Sequence, residues 1–244
     1  MAEKTTYSYR VDPQWVDFTM RASLSQLINA VLGVAGIDAQ RKGFGTDVLN
    51  RENRSWVLLR MAVEFDRRPE QYEDFSITTW VSDYNRMMST RNFTIQDAAG
   101  VVFGRVVTQW CMIDLETRRA VDLTAPAVAE VYGKVVVDAP SPTDPPRRPE
   151  AFEPQEQVSH RVVYSDIDFN RHVNTLRYID MMLDQLPIET FEEDLPVRLD
   201  IHFQRECRFG QQLQILHARR EKSDLFEIQS EGVSAVKAQL ALLE

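Results

Sequence analysis

Cysteine, glycine and long apolar runs are all scarce in this chain, and each shortage argues against a class of protein. The 244 residues include two cysteines, Cys111 and Cys207, far apart and outside any Cys-x-x-Cys pair. That argues against a disulfide framework and a cysteine-built zinc site, and it fits a reducing compartment. Only nine glycines occur, and none forms the glycine-rich turn that cradles a phosphate, so no nucleotide cofactor is expected. No apolar stretch approaches the roughly 18 residues of a membrane span. Met1 to Thr6 lack both the apolar core of a secretion signal and the Arg/Ser-rich character of a transit peptide, and the expected location is cytoplasmic. Basic residues are outnumbered 28 to 37, a net charge of -9, which disfavours nucleic acid and anionic membranes as partners.

What is present suits an ordinary globular protein, with 43% hydrophobic and 27% charged residues and length enough for two domains with sizeable cores. Residues 138–149 carry five prolines, which rules out regular helix or central strand and marks an extended tether. It divides an N-terminal part, 1–137, from a C-terminal part, 150–244. In the first part Leu24, Leu27, Ile28, Val31, Leu32 and Ala35 recur at helical spacing, predicting a helix over 23–40 capped by Ser23. Strand-like runs follow at 55–65, 74–84, 90–97 and 101–114, the last two joined by a hairpin turn at Asp97-Ala98-Ala99-Gly100. The second part repeats this order, with a strand at 157–164, a helix at 174–185 and strands at 195–204, 212–218, 225–229 and 233–243. One helix per half followed by a meander is an α+β pattern, the helix covered by a curved antiparallel sheet.

The halves also share residues at matching places, which is the mark of an internal duplication. Arg10-Val11 and Arg161-Val162 lie 151 positions apart, as do Asp17-Phe18 and Asp168-Phe169. Further on, Arg60 to Arg67 meets Arg198 to Arg205 at an offset of 138, the first half having a longer loop after its helix.

The sharpest chemistry is in Asp168-Phe169-Asn170-Arg171-His172, between a predicted strand and a predicted helix. Asp168, Asn170 and His172 stand at every second position, so an extended backbone would put all three on one face. A carboxylate, a carboxamide and an imidazole together can activate water and stabilise an oxyanion, with help from the helix N-terminus. Such residues also serve simply as turn formers and caps. Two features favour chemistry. In the duplication register Asn170 falls on Thr19 and His172 on Arg21, so the first half keeps the scaffold and lacks the reactive groups. Likewise Glu206 falls on Arg68 and Cys207 on Pro69.

Residues 166–179, with Asp168, Asn170, His172 and Val173-Asn174, closely resemble the signature of the acyl-acyl carrier protein (ACP) thioesterases of plant plastids and bacteria. Arg205-Glu206-Cys207 resembles that family's second motif, and Trp56 to Met61 and Gly104-Arg105 to Trp110 resemble its N-terminal domain. The resemblance covers nearly the whole chain. It implies a tandem double hotdog fold, each half a long helix wrapped by a curved antiparallel sheet, with the acyl chain held largely by the N-terminal domain. It implies a catalytic group of Asp168, Asn170, His172 and Glu206 with Cys207 adjacent, hydrolysing fatty acyl-ACP. Thr175 stands where that family commonly has a second Asn, and a bacterial-type member is expected because no plastid transit segment precedes Met1.

The expected mechanism has Asp168 or Glu206 activating water or attacking directly, Asn170 orienting the carboxylate or carbonyl, and His172 binding the oxyanion or protonating the leaving sulfur. Cys207 is either a His172-activated nucleophile or a small buried hydrophobe. His160, His202 and His217 show no metal-ligand spacing, so no metal is expected. Competing readings are an acyl-CoA thioesterase, a non-catalytic acyl-binding module and a dehydratase of the same fold, which fold alone does not separate. The expected partner is the carrier protein, and a homodimer is a further expectation. Carrier proteins are acidic, so an acidic chain needs a local basic patch to receive one; Arg147-Arg148, Arg118-Arg119 and the Arg205/Arg208 pair are the candidates.

Overall fold

Ser23 ends an extended segment and accepts the backbone N–H of Gln26, so that α1 (Leu24–Arg41) starts where the capping pattern places it. Its apolar stripe, Leu24, Leu27, Ile28, Val31, Val34 and Ala35, is buried along one side. The computed structural model, which describes residues 2–243, divides into two compact units, Met1–Pro146 and Arg147–Glu244. No helix among the described residues is long and apolar enough to cross a membrane.

The first unit opens with β1 (Thr5–Arg10), a short turn of 3-10 helix at Pro13–Trp15, and α1. A single turn, α2 (Thr46–Leu49), leads to β2 (Arg54–Phe65), β3 (Asp74–Tyr84), β4 (Ser89–Asp97) and β5 (Val102–Asp114), and α3 (Pro126–Tyr132) closes the unit. The strands pair antiparallel in the order β1-β3-β4-β5-β2. Alternation sets which face is covered: Phe75, Ile77, Thr79 and Val81 on β3 and Arg91, Phe93 and Ile95 on β4 are all buried. Gly104 is required where it stands, because a Cβ there would sit 2.7 Å from the Phe65 ring on the neighbouring strand.

The second unit has β6 (Glu156–Arg161), α4 (Thr175–Leu183), β7 (Val197–Phe203), β8 (Gln212–Arg219), β9 (Ser223–Ser230) and β10 (Val233–Leu242). Its antiparallel order is β6-β8-β9-β10-β7. Counting strands within each unit, both sheets run first, third, fourth, fifth, second, so the repeat read from the sequence is also a repeat of topology.

Three local expectations differ from the structure. The strand expected over 157–164 stops at Arg161, because the Asp166 carboxylate takes the Val163 N–H and turns the chain. The second helix has nine residues and is no long helix; Pro187 lies close behind it and disfavours helical geometry at Leu186. The expectation held no α3, which begins on Pro126 and seats Tyr132 against Phe44, Trp56 and Tyr84. Residues 138–149 contain no helix or strand.

Candidate active site

Between β6 and α4 the chain first makes a turn of 3-10 helix, Tyr164–Asp166. It then doubles back on itself: Ile167 bridges Val173, and the Asp168 N–H donates to the His172 carbonyl at 2.9 Å. Arg171 takes the left-handed region, φ 64°, at the tip, and its N–H donates to the Asp168 carbonyl at 3.0 Å. The extended run that would have put Asp168, Asn170 and His172 on one face is therefore a tight hairpin. Asp168 Oδ1 accepts the N–H groups of Asn170 (2.8 Å) and His172 (3.3 Å), an Asx-type arrangement that closes the turn. Asp168 and His172 stand opposite each other on the two arms, and Asn170 is exposed at the tip.

The second segment of the site follows β7. Val173 N–H donates to the Cys207 carbonyl at 2.8 Å and His172 bridges Arg208, so residues 205–209 lie alongside the returning arm of the hairpin. That pairing sets His172 Nε2 3.2 Å from Glu206 Oε2, with 16% and 33% of the two side chains exposed. An imidazole and a carboxylate in contact, both reachable from solvent, can move a proton between them. Glu206 was paired with the motif only through resemblance and register, and the backbone bridges show how the fold joins the two.

Cys207 is wholly buried on the other side of its segment. Burial pushes its thiol above the ordinary range, against the pull of the neighbouring Tyr178 and Ser230 hydroxyls and of Arg205. The Tyr178 hydroxyl is likewise pushed above its ordinary value, first by burial and then by Cys207. A buried thiol held protonated is poorly placed as a nucleophile. Among the described residues no three His, Cys, Asp or Glu side chains converge as metal ligands.

Asp166 was not singled out in the sequence, yet it organises the loop. Its carboxylate is wholly buried and receives the Val163 N–H (2.9 Å), His160 Nε2 (2.8 Å) and Arg177 Nε (3.2 Å). Burial alone would raise its pKa, but these three partners outweigh it and hold the group below the usual carboxylate range. Its carbonyl accepts the Asn174 N–H at 2.8 Å, and the Asn174 side chain caps α4 through the Leu176 N–H. The signal was a second Asp two residues before the motif, but its partners read as an ordinary strand His and a helix Arg.

The first unit carries the same hairpin bond for bond. Asp17 N–H donates to the Arg21 carbonyl, Met20 N–H to the Asp17 carbonyl with Met20 at φ 60°, and Ala22 N–H to the Pro69 carbonyl. Arg21 bridges Glu70 as His172 bridges Arg208. Here the chemistry is gone. Asp17 pairs with Arg68, which stands in the place of Glu206, and accepts the Thr19 N–H and hydroxyl at 2.9 and 2.5 Å. In the register Arg21 and Arg68 replace His172 and Glu206, and Arg68 is closed onto Asp17, the counterpart of Asp168.

Comparison with known proteins matches residues 2–131 to the acyl-ACP thioesterase N-terminal domain and residues 150–241 to the acyl-ACP thioesterase C-terminal domain. A chloroplastic acyl-(acyl-carrier-protein) hydrolase of Cuphea viscosissima is 30% identical over 172 residues, covering 68% of this chain and 42% of the relative. A chloroplastic oleoyl-acyl carrier protein thioesterase of Coriandrum sativum is 25% identical over 209 residues, 79% of this chain and 56% of the relative. The chain thus spans about half the length of the curated relatives it matches. The crystal structure of an acyl-ACP thioesterase from Bacteroides thetaiotaomicron is similar over 98% of both chains, at 32% identity and a TM-score of 0.86. A 12:0-ACP thioesterase from Umbellularia californica, 17% identical, shares the fold over 98% of this chain and 97% of its own at a TM-score of 0.88.

Proposed function

The chain belongs to the acyl-ACP thioesterase family, and from that premise we propose that it hydrolyses fatty acyl-ACP thioesters where His172 meets Glu206. The observation that carries this reading is the 3.2 Å contact between these two side chains; the first unit has Arg21 and Arg68 at the matching positions, with Arg68 closed onto Asp17. The C-terminal unit supplies the reacting groups, and the N-terminal unit, lacking them, is left to hold the acyl chain.

In the proposed reaction Glu206 takes a proton from water as the water oxygen bonds to the thioester carbonyl carbon. The carbonyl electron pair moves onto oxygen. The exposed carboxamide of Asn170, at the tip of the same hairpin, is assigned the stabilisation of that oxyanion. When the oxyanion collapses, the C–S bond breaks, and the proton passes through His172 to the departing sulfur. Asp168 acts by closing the hairpin that aims His172, since its Oδ1 accepts the His172 N–H. Cys207 takes no part and fills the core beside Tyr178.

The test is release of free fatty acid from acyl-ACPs of graded chain length by the intact chain. His172→Ala and Glu206→Ala are each expected to lower kcat by about 10²–10⁴. Cys207→Ala is expected to keep turnover within a few-fold of the parent. Near-normal kcat in Glu206→Ala, or its collapse in Cys207→Ala with folding intact by circular dichroism, would reverse the assignment of base and bystander.

A further inference from the structure

The internal repeat supplies its own control for reading charge around the site. In the first unit the arginines beside the hairpin are neutralised. Arg10 is held by Asp74 at 2.7 Å, Arg67 by Glu73 at 2.5 Å, and Arg68 by Asp17. In the second unit the positions of Arg10 and Arg67 are again arginines, Arg161 and Arg205, but those of Glu73 and Asp74 are Gln211 and Gln212. The register is the same, for Arg161 pairs with Gln212 across β6 and β8 as Arg10 pairs with Asp74 across β1 and β3. Two further arginines appear only in this copy: Arg171 stands where the first has Met20, and Arg208 where it has Glu70. Arg161, Arg171, Arg205 and Arg208 are all exposed. Among the described residues Arg205 alone of the four approaches a carboxylate, Glu231 at 3.7 Å, a single contact longer than the two 2.7 Å bonds that hold Arg10 to Asp74.

Backbone contacts bring the segments that carry these arginines together. Gly210 N–H donates to the Val162 carbonyl at 3.0 Å, Ile167 N–H to the Tyr164 carbonyl at 3.2 Å, and His172 bridges Arg208. The ends of β6 and β7 and the hairpin are therefore neighbours. Between the arginines lie Tyr164, Phe169 and Phe209, which are 88%, 74% and 66% exposed. Aromatic rings left in water among arginines that are free or only loosely paired have the composition of a binding surface. On a chain of net charge -9, a local positive patch at the catalytic loops suits a partner of the opposite sign.

We propose that this face of the C-terminal unit, Arg161, Arg171, Arg205 and Arg208 around Tyr164, Phe169 and Phe209, is where the acidic carrier protein docks to deliver its thioester. The inference rests on the carrier reading above and adds the surface. The same positions in the first unit have their charges closed by ion pairs.

The experiment reverses one rim charge and trims one exposed ring, both outside the reacting segments, Arg161→Glu with Tyr164→Ala. Three substrates carry one acyl group: acyl-ACP, acyl-CoA and the uncharged N-acetylcysteamine thioester. The double variant is expected to lose roughly ten-fold in kcat/KM on acyl-ACP, through KM, and to show a weaker salt dependence of that rate. Turnover of the N-acetylcysteamine thioester should stay within two-fold. Unchanged kcat/KM on acyl-ACP overturns the docking face while leaving the thioesterase reading standing, and so does an equal fall on all three substrates. A loss confined to acyl-CoA overturns it in favour of a nucleotide-phosphate site. A parent chain that cleaves the neutral thioester and ignores acyl-ACP removes the carrier and the face together. Titration with holo-ACP reports docking independently of turnover, and equal binding by parent and variant counts against the face.

Discussion

Asp38 carries more of the first unit than its place in the chain suggests. It lies on the buried side of α1 and pairs with Arg91 Nη1 at 2.7 Å and Lys42 Nζ at 3.0 Å, with the Tyr7 hydroxyl at 3.4 Å. Burial pushes its pKa upward, and the two cations more than offset this, leaving it below the ordinary value. A folded-state pKa lowered in this way stabilises the protein fully above the unfolded carboxyl range, about pH 4, and the contribution drains away as pH falls through the folded value. Asp38→Asn leaves Arg91 as a buried cation without its counter-charge, and a loss of about 3 kcal/mol is expected at pH 7. Urea unfolding of parent and variant should show that gap narrowing below pH 4; a gap that stays constant in acid would assign the cost to packing instead. Helical spacing did not single out Asp38, since its main partner comes 53 residues later. Asp166 escaped notice for the same reason. His172 and Glu206 were legible because the first copy lacks both and because the motifs resemble a known family.

At the scale of elements, periodicity located most strands and helices, overran the first strand and the helix of the second unit, missed α3, and misread residues 168–172. Alternate residues in 168–172 read as an extended run. A left-handed residue that is not glycine, Arg171 at φ 64°, leaves no mark on such a pattern. The Asp168 carboxylate makes the turn by binding the N–H groups inside it, which depends on geometry rather than spacing. Helix α1 was readable nearly to its ends because cap and stripe agree. It contains two glycines on its exposed side, Gly33 and Gly36, and a Cβ at either meets nothing within 4 Å. Neither is needed for packing, so Gly36→Ala should raise stability by about 0.5–1 kcal/mol. Thermal unfolding checks this, and a lowered midpoint would mean that the outer face of α1 is occupied.

Across the whole molecule, one topology is used twice with opposite investment of charge. The first copy closes Arg10, Arg67 and Arg68 onto Asp74, Glu73 and Asp17; the second faces Arg161 with Gln212 across the strands and sets an imidazole against a carboxylate. Removing Arg68 should therefore be felt as stability. Arg68→Ala is expected to cost about 2 kcal/mol in chemical denaturation, with kcat on acyl-ACP held within a few-fold. A variant as stable as the parent but catalytically impaired would show that the first hairpin serves the reaction directly. The duplication was visible in scattered pairs such as Arg10 and Arg161, whereas the closing of one copy and opening of the other depends on contacts that pair distant strands.

Both sulfhydryl groups of this chain lie in its interior, Cys111 and Cys207 alike. On the proposed reaction, no step consumes or needs a reduced sulfur. Peroxide and other mild oxidants, which arrest hydrolases that work through a reactive thiolate, have no target at the reacting groups here.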